Sequence, residues 1–234
     1  MTVSSCVDYL VRALRAVVHA FMDDSCVSCG CSGGRLCDAC TLLLPRVEGR
    51  CVGCARYMWR TCRSCAGRWS LDGVLASHPY GHRTIRSLVK TFKYRLEYGL
   101  ADRLAASMTA VLRTRTFSRP LIVPVPLHTN RRRWRGFDQA SSLARSVSGR
   151  TLFEYADALE RTRQTPQQAK AAGRAVRLAT MHGAFRVRDT EHVSGRDIIL
   201  IDDVCTTGAT LDACASTLKD AGAASVTALV FARS

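Results

Sequence analysis

The sequence predicts an α/β protein in which a largely parallel sheet, flanked by helices, follows a small N-terminal cysteine-rich module. Short apolar runs of strand length alternate with segments of helical spacing over the last two thirds of the chain. Before them, eight cysteines form four C-x-x-C pairs. With 234 residues, the chain has room for one mid-sized domain and a small one.

The charge and the cysteine content indicate which kinds of binding partner and which cellular compartment are expected. The formal net charge of +15 favours polyanions, namely nucleic acid, phosphorylated metabolites or an anionic membrane, without choosing among them. No apolar run reaches transmembrane length, and Arg12, Arg15 and His19 interrupt the segment where a signal peptide would need an apolar core. We therefore expect a cytoplasmic protein without membrane insertion, whose twelve cysteines favour metal ligation over disulfides.

Residues 1–24 are expected to form an N-terminal amphipathic helix. Their apolar residues recur at helical spacing: Val7, Leu10, Val11, Leu14, Val17, Val18 and Phe21. Packing against the body of the protein is favoured over contact with a membrane.

Residues 25–70 are predicted to form a double zinc-ribbon module with four cysteine ligands at each site. The two-residue spacing of a C-x-x-C pair lets both thiolates reach one tetrahedral zinc ion. Pairing consecutive knuckles gives two structural sites: Cys26, Cys29, Cys37 and Cys40, and then Cys51, Cys54, Cys62 and Cys65. An interleaved pairing stays open, Cys31 is an alternative first-site ligand, and an iron–sulfur cluster is the less favoured occupant. Zinc with four thiolates has no open position for a substrate, so we expect a structural metal.

The same module mixes arginine with aromatic residues. The basic residues are Arg35, Arg46, Arg50, Arg56, Arg60, Arg63 and Arg68, and the aromatic ones are Tyr57, Trp59 and Trp69. Such a surface suits single-stranded nucleic acid, and packing of the rings over the ribbons is an equal alternative.

Residues 71–234 are predicted to form the main domain. Strands are expected at residues 71–79, 120–127, 157–161, 198–201 and 225–231, and helices from residue 83, at 98–113, through 143 and 147, and at 211–218. Between the second strand and its helix, residues 131–135 hold four arginines and one tryptophan. This loop could contact the phosphates and bases of a single strand, or simply complement a charged substrate.

The strand at residues 198–201 carries the strongest functional signal. It leads into Asp202 and Asp203, and then into a small, hydroxyl-rich turn that opens a helix. The unpaired N–H groups of that helix start and its dipole favour an anion. Thr206, Thr207 and Thr210 add hydroxyl donors, and Gly208 has no Cβ to hold a phosphate away. The sequence therefore predicts a phosphate site at the carboxyl edge of the sheet.

The acid pair and turn resemble the signature of the type I phosphoribosyltransferases, which bind phosphoribosyl pyrophosphate (PRPP). The resemblance implies a type I phosphoribosyltransferase-like fold and magnesium bound with PRPP. It implies that Asp202 and Asp203 are catalytic residues that hold the ribose hydroxyls and a magnesium-bound water. The implied contacts of the 5′-phosphate are Thr206, Thr207, Gly208, Ala209 and Thr210.

Further motifs resemble the competence protein F (ComF) family from about Cys26 to the C-terminus. They are the cysteine knuckles, Tyr80-Gly81, Phe92-Lys93-Tyr94, Pro124-Val125-Pro126-Leu127, Arg131 with Arg135-Gly136-Phe137-Asp138-Gln139-Ala140, and residues 161–167. The family usually has asparagine where Asp138 stands. In type I phosphoribosyltransferases a loop closes over PRPP and supplies cations for pyrophosphate. The resemblance makes the following residues candidates for that role: Arg131, Arg135, Arg161, Lys170, Arg174 and Arg177.

Three functions follow from this resemblance. The first is an enzyme that displaces pyrophosphate from magnesium–PRPP with an unknown acceptor. The second is a non-catalytic PRPP sensor, and the third is a protein that handles single-stranded DNA during natural transformation. No general base stands out among His78, His82 and His128, and the sequence leaves the oligomeric state open.

Overall fold

The computed structural model describes residues 25–47, 49–94, 98–127, 138–162 and 183–234. Contacts divide the chain into two compact units, Met1–Leu43 and Leu44–Ser234. The predicted helix over residues 1–24 lies outside the described residues. The predicted domain divisions after residues 24 and 70 stay predictions.

The described elements follow an alternating order. The helices are Asp38–Leu43 (α1), Arg63–Ala66 (α2), Arg83–Tyr94 (α3), Tyr98–Leu112 (α4), Gln139–Thr151 (α5), Thr190–Val193 (α6) and Ala209–Asp220 (α7). The strands are Gly73–Pro79 (β1), Pro120–Pro124 (β2), Glu154–Tyr155 (β3), Leu159–Arg161 (β4), Phe185–Val187 (β5), Asp197–Cys205 (β6) and Ser225–Arg233 (β7).

Five strands form one sheet in the order β1-β7-β6-β2-β3, and every pairing in it is parallel. The prediction of a largely parallel sheet flanked by helices is confirmed. Register places Pro124 beside Ile201, so the carboxyl ends of β2 and β6 meet at one edge. Strands β4 and β5 form a separate antiparallel pair.

Strand β6 is longer than its apolar core suggests. The sequence predicted a strand over residues 198–201, whereas the observed strand continues to Cys205 because β7 pairs with it as far as Arg233. Asp202 and Asp203 therefore belong to the strand itself, and the extended backbone fixes their positions.

The two faces of the sheet carry different helices. Ile198 and Leu200 point into a core shared with α7 and with the cysteines of residues 51–65. Because neighbouring side chains of a strand alternate, Ile199 and Ile201 face the opposite side, where α4 and α5 pack together. Among the described residues, no helix has the length and apolar character needed to span a bilayer.

Candidate functional site

The candidate site is the loop that joins β6 to α7 at the carboxyl edge of the sheet. Gly208 adopts a φ of +77°, which turns the chain, and α7 begins at the next residue. Thr206 is exposed and Thr207 is half-buried. The N–H group of Ala209 donates to Oγ1 of Thr207 at 3.5 Å. The predicted phosphate contacts thus lie together in one loop, with hydroxyl groups and a helix start of the kind that can bind an anion.

The acid pair stands directly before this loop. The N–H group of Asp203 donates to Oδ1 of Asp202 at 2.8 Å. The carboxylate of Asp203 is largely buried and forms an ion pair with Nζ of Lys93, 3.0 Å away. The two carboxylates thus share one edge of the sheet, but only Asp203 has a close cation among the contacts described.

This arrangement shifts the pKa values of Asp202 and Lys93. Burial, and then the charge of Asp203, raises the pKa of Asp202 to about 7, and Lys93 offsets part of that shift. Burial alone would lower the pKa of Lys93, but its attraction to Asp203 outweighs burial and raises it. At neutral pH, both protonation states of Asp202 are therefore populated, and pKa values shifted in this way often occur at functional sites.

Lys93 belongs to one of the predicted family motifs, but no role was predicted for it. It follows Val89 by four positions on α3, which places it beside the apolar side of the helix. A cation beside an apolar helix face needs a buried anion. The four-residue spacing between Val89 and Lys93 was therefore the signal in the sequence from which this ion pair could have been predicted.

A surface cavity opens beyond the carboxyl end of β2. Pro124, Pro126, Arg161 and Arg188 are among the residues that line it. Asp138, another lining residue, accepts a hydrogen bond from the N–H group of Ser141 at 3.2 Å and caps α5. Asparagine can cap a helix in the same way, so the departure from the family pattern preserves this function.

Only one candidate for pyrophosphate binding lies in the described part of the chain. Arg161 ends β4, faces the cavity and places its guanidinium 5.4 Å from the ring centre of Phe185. The remaining candidates lie outside the described residues: Arg131, Arg135, Lys170, Arg174 and Arg177.

The cysteines gather into two groups of consecutive knuckles. In the second group all four predicted thiols lie within 4.8 Å of one another: Cys51, Cys54, Cys62 and Cys65. The corresponding first group consists of Cys26, Cys29, Cys31 and Cys37. Cys31, the alternative ligand, thus takes the place predicted for Cys40, whose thiol still interacts with those of Cys29 and Cys37.

Both cysteine groups are compatible with zinc. Burial would raise the pKa of Cys51, but the N–H groups of Cys62, Cys54 and Gly53 outweigh it and lower that pKa to about 6. Burial and the neighbouring thiols raise the pKa of Cys65 to about 12. Four such thiols ionise together only when a cation compensates their charge, which a tetrahedral metal does.

Neither of the two predicted candidate histidines in the described part of the chain gains support as a general base. His78 is almost fully buried beside Phe231, its Nδ1 lies 2.7 Å from the carbonyl oxygen of Pro45, and burial lowers its pKa. His82 is exposed, and His128 lies outside the described residues.

Comparisons with known proteins agree with this geometry. A family described as "Phosphoribosyl transferase domain" matches residues 133–234. Competence protein ComFC of Streptococcus pneumoniae is 29% identical over 210 residues, which are 87% of this chain and 86% of the relative. Competence protein ComFC of Bacillus subtilis is 29% identical over 219 residues, 86% of this chain and 85% of the relative.

Two further likenesses cover less of the chains compared. DNA utilization protein YhgH of Escherichia coli K12 is 37% identical over 106 residues, 45% of each chain. The structure of a glutamine PRPP amidotransferase from B. subtilis aligns at a TM-score of 0.41 and 16% identity, over 61% of this chain and 30% of that one. A likeness of that degree bears on neither fold nor function.

The parallel sheet, with its acid pair and hydroxyl-rich loop at the carboxyl end of a central strand, defines a type I phosphoribosyltransferase-like α/β protein, as does the match over residues 133–234. Both ComFC relatives match this chain over most of its length, which supports the predicted resemblance to the ComF family. That resemblance and the predicted fold class are confirmed.

Proposed function

We propose that the protein binds magnesium–PRPP at residues 202–210 and transfers its phosphoribosyl group to an acceptor. One observation carries this proposal: two carboxylates at the end of β6 lead directly into a hydroxyl-rich loop at the start of α7. Thr206 to Thr210 would hold the 5′-phosphate through hydroxyl and N–H donors. Asp202 and Asp203 would hold the ribose hydroxyls.

In the proposed reaction, the bond from C1 of the ribose to the pyrophosphate oxygen breaks and its electron pair leaves with pyrophosphate. The acceptor then forms a bond to C1 and gives up a proton. Because cleavage runs ahead of bond formation, the ribose gains oxocarbenium character, which an ionised Asp202 would stabilise. Arg161 and the other candidate cations would balance the charge of the departing pyrophosphate.

Two metals fit the residues present. Magnesium prefers carboxylate and phosphate oxygens, and the acid pair would bind its water while the ion neutralises the leaving pyrophosphate. Zinc would be structural in both cysteine groups, since four thiolates close its coordination. A cytoplasmic location belongs to the same proposal, because metal binding needs reduced thiols.

Calorimetric titration of magnesium–PRPP tests this site. Binding to the parent should be lost in a variant with Asp202→Asn and Asp203→Asn. Asp220→Asn is the matched control, because this exposed residue ends the same helix that the loop begins. The proposal fails if the folded parent shows no binding, or if the double variant binds as well as the parent. Release of pyrophosphate on addition of an acceptor would distinguish an enzyme from a sensor.

A second candidate is a non-catalytic PRPP sensor that binds single-stranded DNA. The names of the relatives refer to competence and to DNA utilization, and the net charge is +15. Tyr57 is 71% exposed, and the guanidinium of Arg50 lies 4.5 Å from its ring centre. An exposed ring beside a cation can stack on a base, whereas Trp69 is buried and serves packing.

Binding of single-stranded DNA at several salt concentrations tests this second candidate. Affinity should fall steeply as salt rises, because displaced counterions drive the binding. Replacing Arg131, Arg132, Arg133 and Trp134 together should remove most of the binding if the loop after β2 contacts DNA. Tyr57→Ala tests the cysteine-module surface separately. Equal binding by both variants and the parent would contradict both locations.

A further inference from the structure

The backbone of the candidate phosphate loop lies directly against the second cysteine group. A methyl group at Gly208 would stand 3.0 Å from Cγ2 of Val52 and 3.1 Å from Cζ3 of Trp69. Val52 sits between the first two cysteines of the group, inside the C-x-x-C turn. The loop therefore has no space to move towards the knuckle.

Trp69 touches the cysteine group and the loop with one side chain. It is only 7% exposed. On its other side, a methyl group at Gly53 would stand 2.5 Å from Sγ of Cys65 and 2.9 Å from Nε1 of Trp69. The indole thus fills the space between the thiols of the group and the turn at Gly208. Displacement of either one would be transmitted to the other.

Hydrogen bonds attach the same module to the two elements beside the loop. The carboxylate of Asp212, in the first turn of α7, accepts from the N–H groups of Ser70 at 2.7 Å and Leu71 at 3.2 Å. At the end of β7, Arg233 donates to the carbonyl oxygens of Arg50 and Cys51. Asp212 is largely buried, so these bonds are protected from water.

From these contacts we infer that the second cysteine group, when metal-bound, supports the phosphate loop and controls its affinity for phosphate esters. Metal ligation by Cys51, Cys54, Cys62 and Cys65 fixes the knuckle, and Val52 and Trp69 act as positioning residues for Gly208. The group would then be a structural part of the phosphate site, although none of its cysteines belongs to the loop itself. The effect on PRPP rests on the proposed function, whereas the effect on the loop does not.

The chain contains an internal control for this inference. The thiols of Cys54 and Cys62 are 3.6 Å apart in the second group, and those of Cys29 and Cys37 are 3.7 Å apart in the first. The two pairs occupy equivalent knuckle positions, but the first group belongs to the compact unit Met1–Leu43. Only loss of the second pair should alter the phosphate loop.

The experiment compares the full chain, zinc-loaded, with two double variants: Cys54→Ser with Cys62→Ser, and Cys29→Ser with Cys37→Ser. Metal content, calorimetric affinity for magnesium–PRPP and hydrogen exchange of the amides of residues 205–212 are measured for each. The second-group variant should bind PRPP at least tenfold more weakly and exchange these amides faster without ligand. The first-group variant should match the parent in both. Equal affinity and exchange in all three proteins would overturn the inference.

Trp69 tests the contact without removing a ligand. Trp69→Ala should keep its metal, lose about tenfold in affinity for magnesium–PRPP and loosen residues 205–212, while Trp69→Phe restores most of both. Unchanged exchange in a metal-loaded Trp69→Ala protein would overturn the inference. If the parent itself fails to bind PRPP, the proposed function fails, while exchange at the loop still decides whether the cysteine group supports it.

Discussion

Asp202 and Asp203 are adjacent in the chain, yet their surroundings differ. Asp203 neutralises Lys93 in a largely buried ion pair, which holds its carboxylate at the edge of the sheet. Asp202 lies beside that pair, and burial together with the charge of Asp203 raises its pKa, so its ionised form is costly in the ligand-free protein. Under the proposed function both carboxylates hold the ribose hydroxyls, and Asp202 is the one that is costly to ionise.

Asp202→Asn should stabilise the ligand-free protein at pH 8. The pKa of Asp202 is about 7 in the folded chain and about 3.9 in an unfolded chain. The folded state therefore holds this proton more tightly, and its stability falls as pH rises from about 4 to about 7. The substitution should raise the free energy of unfolding by at most about 4 kcal/mol at pH 8, and by less than half as much at pH 5.

Urea unfolding of the parent and variant at both pH values measures this gain. Asp220→Asn is the control, because it makes the same chemical change at an exposed position. A gain that does not change between pH 5 and pH 8 would contradict a raised pKa at Asp202.

Lys93→Gln should destabilise the protein, since it leaves the largely buried carboxylate of Asp203 without its cation. The side chain of Lys93 is 28% exposed, so we expect a loss of about 1–3 kcal/mol, less than for a fully buried pair. Lys90→Gln, an exposed change on the same helix, should stay within about 0.5 kcal/mol. Similar losses in both variants, measured by urea unfolding at pH 7, would show that the ion pair contributes little.

At the scale of elements, the join between β6 and α7 is also the part of the site that the sequence predicted best. A short apolar run, an acid pair and a glycine turn are all local signals, so their order alone indicates strand, loop and helix. The extension of β6 to Cys205 was missed because it depends on pairing with β7, which lies about 28 residues further along the chain.

The support of the loop could not be predicted, because its contacts join distant parts of the sequence. Ser70 and Asp212 are 142 positions apart, and no periodicity links Val52 or Trp69 to Gly208. Equally, the choice between Cys31 and Cys40 depends on the turn geometry of one knuckle, which cysteine spacing does not determine.

Gly208→Ala should harm both the stability of the protein and its phosphate site. The residue has a φ of +77°, and its new methyl group would press on Val52 and Trp69. We expect a loss of about 1–3 kcal/mol and weaker binding of magnesium–PRPP. Gly149→Ala is the opposite case: Gly149 lies within α5 with open space around its Cα, so alanine should stabilise by about 0.5–1 kcal/mol. Thermal unfolding measures the change in stability of both variants. A Gly208→Ala variant as stable as the parent would contradict the close contact with Val52 and Trp69.

For the whole molecule, the two cysteine groups differ in how much structure depends on them. The second group shares a core with α7 and with strands such as β6 and β7. In contrast, Leu36 is the only fully buried aliphatic side chain among the described residues of Met1–Leu43, and Leu42 and Leu43 are more than 80% exposed. The described part of the first unit buries little apolar surface, so we expect metal binding at its cysteine group to supply much of the free energy that folds it.

Metal removal should therefore affect the two units unequally. Treatment with a strong chelator should abolish protection from hydrogen exchange over residues 25–43, since apolar packing within that segment is too slight to fix it. The amides of residues 198–201 and 226–230 should stay protected, because ladder hydrogen bonds between β6 and β7 and the many aliphatic side chains of that core hold them without a metal. Exchange followed by mass spectrometry measures both regions in one sample. Persistent protection of residues 25–43 in the metal-free protein would show that this unit is held by packing, and loss of protection in the sheet would show that the fold as a whole depends on metal.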